Sequence, residues 1–92
     1  MHRKMQVLIC HYDPQYRENL RFILGNAKNA VDIVGECNDH IECRAWLKQN
    51  FADQVLYSLE LEPSLRYPII DSLQIANPGV EFIEFSIDEI DR

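Results

Sequence analysis

The sequence has few glycines and prolines and a shortage of positive charge. Three glycines and four prolines are scattered over 92 residues, so neither a glycine-rich phosphate loop nor a flexible linker is predicted. Nine lysines and arginines stand against fifteen acidic residues, which gives a formal net charge of -6. Because such a chain repels phosphate backbones, we expect no direct binding of nucleic acid.

Long apolar runs are also missing. The first apolar run, Val7 to Cys10, is too short for the apolar core of a signal peptide or for a membrane span. We therefore expect a cytoplasmic protein that has no contact with a membrane. The three cysteines, Cys10, Cys37 and Cys43, lack the dense spacing of a disulfide scaffold, and reduced thiols are the simplest interpretation.

The composition is that of a folded protein. Hydrophobic residues make up 47% of the chain and charged residues 26%, values typical of globular domains. No segment repeats and none is low in complexity, so residues 1–92 are interpreted as one domain.

Apolar periodicity predicts strands and helices in alternation. Strands are predicted at 7–10, 31–34, 54–61 and 80–87. The first helix is predicted to start at Pro14 with Asp13 as its cap and to stop at Gly25-Asn26, with Ala27 as its last apolar position. The second is predicted to be capped at Asn38-Asp39 and to run to about Asn50, and a loop at Pro63-Ser64 is predicted to precede the third. The apolar face of the second helix is assigned to Ile41, Ala45, Trp46 and Leu47, and the third helix contains Ile69, Ile70, Leu73 and Ile75.

This alternation predicts a doubly wound α/β fold. Right-handed crossovers between the strands give a parallel sheet with helices on both faces. Functional groups in such sheets lie beyond the carboxyl ends of the strands. The residues that follow each strand are therefore the candidates for a site.

Four sequence blocks resemble the receiver domains of bacterial two-component response regulators. They are VLICHYDP at 7–14, IVGEC at 33–37, DQVLYSL at 53–59, and NP at 77–78 followed by FIEFS at 82–86. Their counterparts are V-L-I-x-D-D-D-P, the V-V-G-E-A of the NarL-like branch, D-V-V-L-L-D-L and H-P…V-I-V-L-T. The spacing between the blocks matches that of the family without any insertion or deletion. The resemblance implies the receiver-like (flavodoxin-like) three-layer sandwich, with four strands and three helices and without the final helix, strand and helix.

The resemblance also implies that the phosphotransfer site is degenerate. The acidic pair that holds Mg²⁺ falls on His11 and Tyr12, and the phosphoacceptor aspartate falls on Ser58. Asp13 matches the third acid, and Ser86 matches the hydroxyl residue that senses the phosphoryl group. Imidazole and phenol are poor ligands for Mg²⁺, so no catalytic residue, metal or other cofactor is expected. The sequence also ends before the position of the family's conserved lysine, which makes a truncated receiver the expectation.

The function that the resemblance implies is a pseudo-receiver in phosphorelay-like signalling. We expect a non-enzymatic protein interaction module that forms a homodimer or binds another receiver or a kinase domain. In the family's strand order the fourth strand would be left at an edge, and apolar surface around Phe22 and Ile23 of the first helix would be uncovered. The alternative is the N-terminal fragment of a larger response regulator, whose phosphotransfer or DNA-binding output domain lies outside this chain.

A zinc site is another interpretation of the cysteines and histidines. Cys37, His40 and Cys43 stand at three-residue intervals, and Cys10-His11 ends the neighbouring strand. The spacing matches no common zinc module. We therefore expect the cysteines to fill the core, as free cysteines commonly do, and His11 to be a surface or loop residue.

Overall fold

The computed structural model describes residues 3–26 and 30–85. Strands and helices alternate along these residues, as predicted. The elements are β1 (Met5–Cys10), α1 (Pro14–Gly25), β2 (Val31–Cys37), α2 (His40–Gln49), β3 (Gln54–Tyr57), α3 (Pro63–Ala76) and β4 (Glu81–Glu84). Within this part of the chain no helix is long and apolar enough to cross a membrane.

The four strands of the described residues form one parallel sheet in the order β2-β1-β3-β4. The central strand β1 is the most apolar, and its residues Val7 to Cys10 are buried on both faces. Three helices cover the sheet in the described part of the chain, so the predicted α/β receiver-like architecture is confirmed.

The two faces of the sheet carry separate hydrophobic clusters. The two-helix face, covered by α2 and α3, includes Leu8 and Val55 of the strands and Cys43 and Leu47 of α2. The one-helix face is covered by α1, and its buried residues are Val7, Ile9, Leu20 and Leu56. Alternate residues of β1 therefore serve the two clusters, as the pleat of a strand requires.

Both predicted aspartate caps are confirmed. The Asp13 carboxylate accepts a hydrogen bond from the Gln15 backbone N–H at 2.9 Å, and Pro14 follows as the first helical residue. The Asp39 carboxylate accepts from the Glu42 N–H at 2.9 Å. Each cap satisfies an amide that has no partner inside its helix.

The predicted loop at Pro63-Ser64 is wrong, because α3 begins at Pro63 itself. Proline is well tolerated in the first turn, where its missing N–H would have no intrahelical partner. The Glu62 side chain that precedes it makes no capping hydrogen bond. The sequence therefore indicates the start of α3 less clearly than the capping aspartates indicate the starts of α1 and α2.

Ile41, predicted on the apolar face of the second helix, is exposed, and so is Ile75 of the third helix. Ile41 is 67% exposed and Ile75 is 80% exposed. Each lies two positions from a buried residue of its helix, Cys43 in α2 or Leu73 in α3, which is a rotation of about 200° around the helix axis. Ala45, two positions beyond Cys43, is exposed for the same reason.

The strand bounds differ from the predictions at their ends. β2 continues three residues beyond the predicted end to Cys37, whereas β3 stops at Tyr57 instead of reaching 61. β4 starts at Glu81 and ends at Glu84. The predicted strand positions 86–87 and the helical position assigned to Ala27 lie outside the described residues.

Candidate functional site at the carboxyl ends of the strands

The sheet brings together most of the residues that the resemblance singled out. Cys10, the last residue of β1, lies opposite Tyr57, the last residue of β3. The backbone N–H of Ser58 donates to the carbonyl of Cys10 at 3.2 Å. His11 and Tyr12 therefore follow β1 beside the point where Ser58 follows β3. Ser86 lies outside the described residues.

His11 lies in the loop between β1 and α1, which fits the expected loop position, but it is buried and not at the surface. It is 3% exposed, and its ring stacks on Tyr16 with centroids 3.9 Å apart and on Tyr12 with centroids 4.7 Å apart. His11 Nδ1 accepts a hydrogen bond from the backbone N–H of Asp13 at 3.0 Å. Tyr16, in the first turn of α1, lies against the imidazole and helps to shield it from solvent.

The surroundings of His11 favour the neutral imidazole. Burial lowers the pKa of His11 below its ordinary value, and the positive charge of Arg17 acts in the same direction. The negative charges of Asp13 and Glu60 oppose this change in pKa without reversing it. Because Nδ1 accepts the Asp13 N–H, the proton of the neutral ring is assigned to Nε2.

Tyr16 also joins α1 to the end of β4. Its hydroxyl donates to the carbonyl oxygen of Phe85 at 2.8 Å, across 69 positions of sequence. The apolar spacing of the sequence places Tyr16 on the apolar side of the first helix and does not predict this hydrogen bond. No local pattern shows which carbonyl a tyrosine hydroxyl will meet.

Arg17 links the ends of β1 and β2. Its Nη1 donates to the His11 carbonyl and, at 2.7 Å, to Asn38 Oδ1, while its Nε lies 3.1 Å from Glu36 Oε1. Arg21, one turn further along α1, pairs with the same carboxylate. The two guanidinium groups lower the pKa of Glu36. Sequence analysis missed this network, for which the spacing of the two arginines along one helix face was the available signal.

A cleft of about 270 Å³ opens beside the ring stack. Its lining consists of Tyr12, residues 38–40 at the start of α2, and residues 58–61 after β3. The lining mixes an aromatic ring and two leucines with the carboxylates of Asp39 and Glu60. The cleft beyond the carboxyl ends of the strands is therefore acidic and partly apolar.

The residues weighed for zinc lie in different surroundings. Cys10, Cys37 and Cys43 are free thiols buried in the cluster of the two-helix face, which confirms that they fill the core. Burial raises the pKa of Cys37 to about 12, and a hydrogen bond with Cys43, together with burial, raises the pKa of Cys10. His40, in contrast, lines the cleft. Over residues 3–26 and 30–85 no three histidine, cysteine or acidic side chains are grouped to hold a metal ion.

Solved structures with a similar fold include three of RcsB from Salmonella enterica serovar Typhimurium. Its isolated REC domain, in the presence of the phosphomimetic BeF3-, has a TM-score of 0.77 and 20% sequence identity over 89% of this chain and 61% of that one. RcsB bound to the promoter rprA also gives a TM-score of 0.77, with 20% identity over 88% of this chain and 41% of that one. RcsB bound to the promoter P1flhDC gives 0.76, with 20% identity over 89% and 42%.

These comparisons concern the fold. No protein-family model matches the chain, and no curated protein matches it in sequence. The chain spans less than two thirds of the length of the RcsB chains that it resembles. The strand order, the helix arrangement and the structural similarity agree, and the chain has the fold of a response-regulator receiver domain.

Proposed function

We propose that the chain is a receiver-like signalling module that binds other proteins without being phosphorylated and catalyses no reaction. The observation that carries this proposal is the stack of His11, Tyr12 and Tyr16 at the carboxyl end of β1. The resemblance assigns the Mg²⁺-binding acidic pair to His11 and Tyr12. A buried imidazole whose Nδ1 already accepts an N–H, next to a phenol, supplies no hard anionic oxygen for Mg²⁺.

The phosphoacceptor position supports the same proposal. A carboxylate nucleophile forms an acyl phosphate, whereas the hydroxyl of Ser58 would form an ester of different stability. With His11 and Tyr12 in place of the acidic pair, the attacking oxygen also lacks the metal that neutralises the transferred phosphoryl group.

The strand ends are held together by groups of the protein itself. Tyr16 joins α1 to Phe85 after β4, and Arg17 joins the His11 carbonyl to Asn38 after β2. These hydrogen bonds link three strand ends without a phosphoryl group. We infer that one conformation of the module is maintained by its sequence and not by a modification.

The surface that favours binding is on α1. Phe22 is 79% exposed there, and the neighbouring Ile23 is only partly buried, so the two form an apolar patch on this helix. The edge strand β4 is a weaker candidate for pairing two copies, because Glu81 and Glu84 are both exposed and would meet like charges. We therefore propose that α1 contacts a second copy, or another receiver or kinase domain, in the cytoplasm.

Light scattering over a concentration series, with and without acetyl phosphate and Mg²⁺, tests this function. We expect a mass of about twice the 10.8 kDa of the monomer at micromolar concentration, and the same mass under both conditions. Phe22→Ser should weaken the association. Ile75→Ser, which removes an equally exposed side chain from α3, is the matched control and should leave it unchanged. A folded monomer at all concentrations, or association that needs acetyl phosphate, would contradict the proposal.

A further inference from the structure

The cleft beside the ring stack has chemical features that protein binding through α1 does not use. It is lined by Tyr12, residues 38–40 and residues 58–61, and its volume is about 270 Å³. Phe22 is not part of this lining. The cleft is therefore a separate candidate for binding, of a size suited to a ligand smaller than most drug-sized molecules.

The acidic and basic side chains that line the cleft are Asp39, Glu60 and His40, so carboxylates outnumber the single imidazole. Glu60 is exposed, and its carboxylate forms no hydrogen bond or ion pair with the described part of the chain. Asp39 Oδ1 accepts from the Glu42 N–H, and no basic side chain of the described residues pairs with Asp39. The nearby guanidinium of Arg17 is already engaged by His11, Asn38 and Glu36. The carboxylate of Glu60 is thus available to a positively charged ligand.

The remaining lining is suited to an apolar stem. Tyr12 is 58% exposed, so part of its ring is open to solvent although it also stacks on His11. Leu59 and Leu61 are half-buried in the wall formed by residues 58–61. An aromatic ring beside a carboxylate attracts a cation by two mechanisms, the charge pair and the electron-rich face of the ring.

We propose that this cleft binds an organic cation, an ammonium or guanidinium group on an apolar stem. The cationic group pairs with Glu60, and the stem lies against Tyr12 and Leu59. A free amine and the lysine or arginine side chain of a peptide share this chemistry. The inference does not rest on the proposed protein interaction through α1, since the two surfaces have no residue in common.

An anionic ligand is disfavoured at the same place. The N-terminus of α2 contributes a positive partial charge, but Asp39 already caps it. A phosphate or carboxylate in the cleft would lie close to both Asp39 and Glu60. The receiver family carries a negatively charged phosphoryl group at these strand ends. In this chain the same place favours a positively charged ligand.

Calorimetric titration with four probes tests the proposal. The probes are phenethylamine, its neutral analogue 2-phenylethanol, its anionic analogue 3-phenylpropionate, and a short acetylated peptide with a single arginine. We expect saturable binding of a cation, at least about fivefold tighter than that of the neutral analogue, and no binding of the anion. Tighter binding of the peptide would assign the site to a protein side chain, and tighter binding of phenethylamine would assign it to a free amine.

Two glutamate variants locate the binding. Glu60→Gln should weaken binding of the cation about fivefold, whereas Glu62→Gln, an exposed glutamate outside the lining, should leave it unchanged. Tyr12→Leu should weaken it about threefold, with circular dichroism confirming that the variant is folded. The proposal is overturned if no cation binds at millimolar concentration, if the anion binds as well as the cation, or if the two glutamate variants weaken binding equally.

Discussion

The two faces of the sheet are stabilised in different ways. On the two-helix face, α2 and α3 bury a broad cluster that includes three cysteines and side chains of all the strands. On the one-helix face, α1 alone covers a small cluster, and Leu20 is the buried residue that α1 contributes to it. Stability on the first face is therefore spread over many contacts. On the second it depends on a few side chains and on the hydrogen bond from Tyr16 to Phe85.

The largest difference between the faces should appear on truncating one buried side chain from each. Leu20 of α1 and Leu47 of α2 are both buried, with 1% and 9% of their surface exposed. Leu20→Ala should lower the free energy of unfolding by about 3 kcal/mol, because it leaves a cavity under the helix of the one-helix face. Leu47→Ala, which removes the same three carbon atoms from α2 on the two-helix face, should cost about 2 kcal/mol, because many other buried side chains pack around that position.

Urea denaturation followed by circular dichroism measures both costs. Equal losses for the two variants would show that the one-helix face is no more dependent on single residues than the other. If the Leu20→Ala variant is fully unfolded, its loss in the free energy of unfolding exceeds the expected value, and the difference between the two faces is larger than predicted.

The next largest effect is expected on the two-helix face, where Gly35 lies close to the indole of Trp46. A Cβ added at Gly35 would lie 2.8 Å from Nε1 of Trp46. We expect Gly35→Ala to cost about 2 kcal/mol, because the packed indole has to move. Gly25→Ala is the control, since nothing lies within 4 Å of the added Cβ, and it should be neutral or slightly stabilising in thermal denaturation. Similar melting temperatures for the two variants would contradict this.

The hydrogen bond between α1 and the end of β4 should have a smaller effect. Tyr16→Phe keeps the ring that stacks on His11 and removes the hydroxyl that donates to Phe85. We expect a loss of about 1 kcal/mol in the free energy of unfolding. Tyr12→Phe, in which the removed hydroxyl belongs to an exposed side chain, should cost close to nothing. A Tyr16→Phe variant as stable as the wild type would remove this hydrogen bond from the account of the one-helix face.

The smallest effect is a dependence on pH. Since burial holds the folded pKa of His11 below the ordinary value of 6.5, the unfolded chain takes up the proton first as the pH falls. The stability contributed by the neutral ring is complete above pH 6.5 and is lost as the pH falls through the lower, folded pKa. His11→Phe keeps an aromatic ring without a titrating group, and urea midpoints between pH 7.5 and 5 should fall less steeply for it. If the urea midpoints of the wild type and of His11→Phe fall in parallel, the loss of stability at low pH comes from other groups.

Features that depend on neighbouring residues could be predicted from the sequence. Asp13 and Asp39 were identified as caps because a cap is a property of a few consecutive residues, and the buried strand at Val7 to Cys10 was evident from its composition. The alternation of such elements was enough to predict the parallel sheet.

Features that depend on contacts between distant residues could not be predicted. The backbone N–H of His11 donates to the carbonyl of Cys37, and the Tyr16 hydroxyl meets a carbonyl 69 positions away. The cleft likewise combines Tyr12 after β1 with Glu60 after β3. A single sequence shows that these residues follow strands, but it does not show which of them meet.

The most direct test of a receiver fold that functions without phosphorylation is the intact mass of the protein after incubation with acetyl phosphate and Mg²⁺. A receiver domain that retains the acidic pair and the aspartate serves as the positive control. With His11, Tyr12 and Ser58 at the three positions, we predict an unchanged mass for this chain while the control gains one phosphoryl group. A gain of one phosphoryl group by this chain that is abolished by Ser58→Ala, or by replacing a single aspartate or glutamate, would contradict the account.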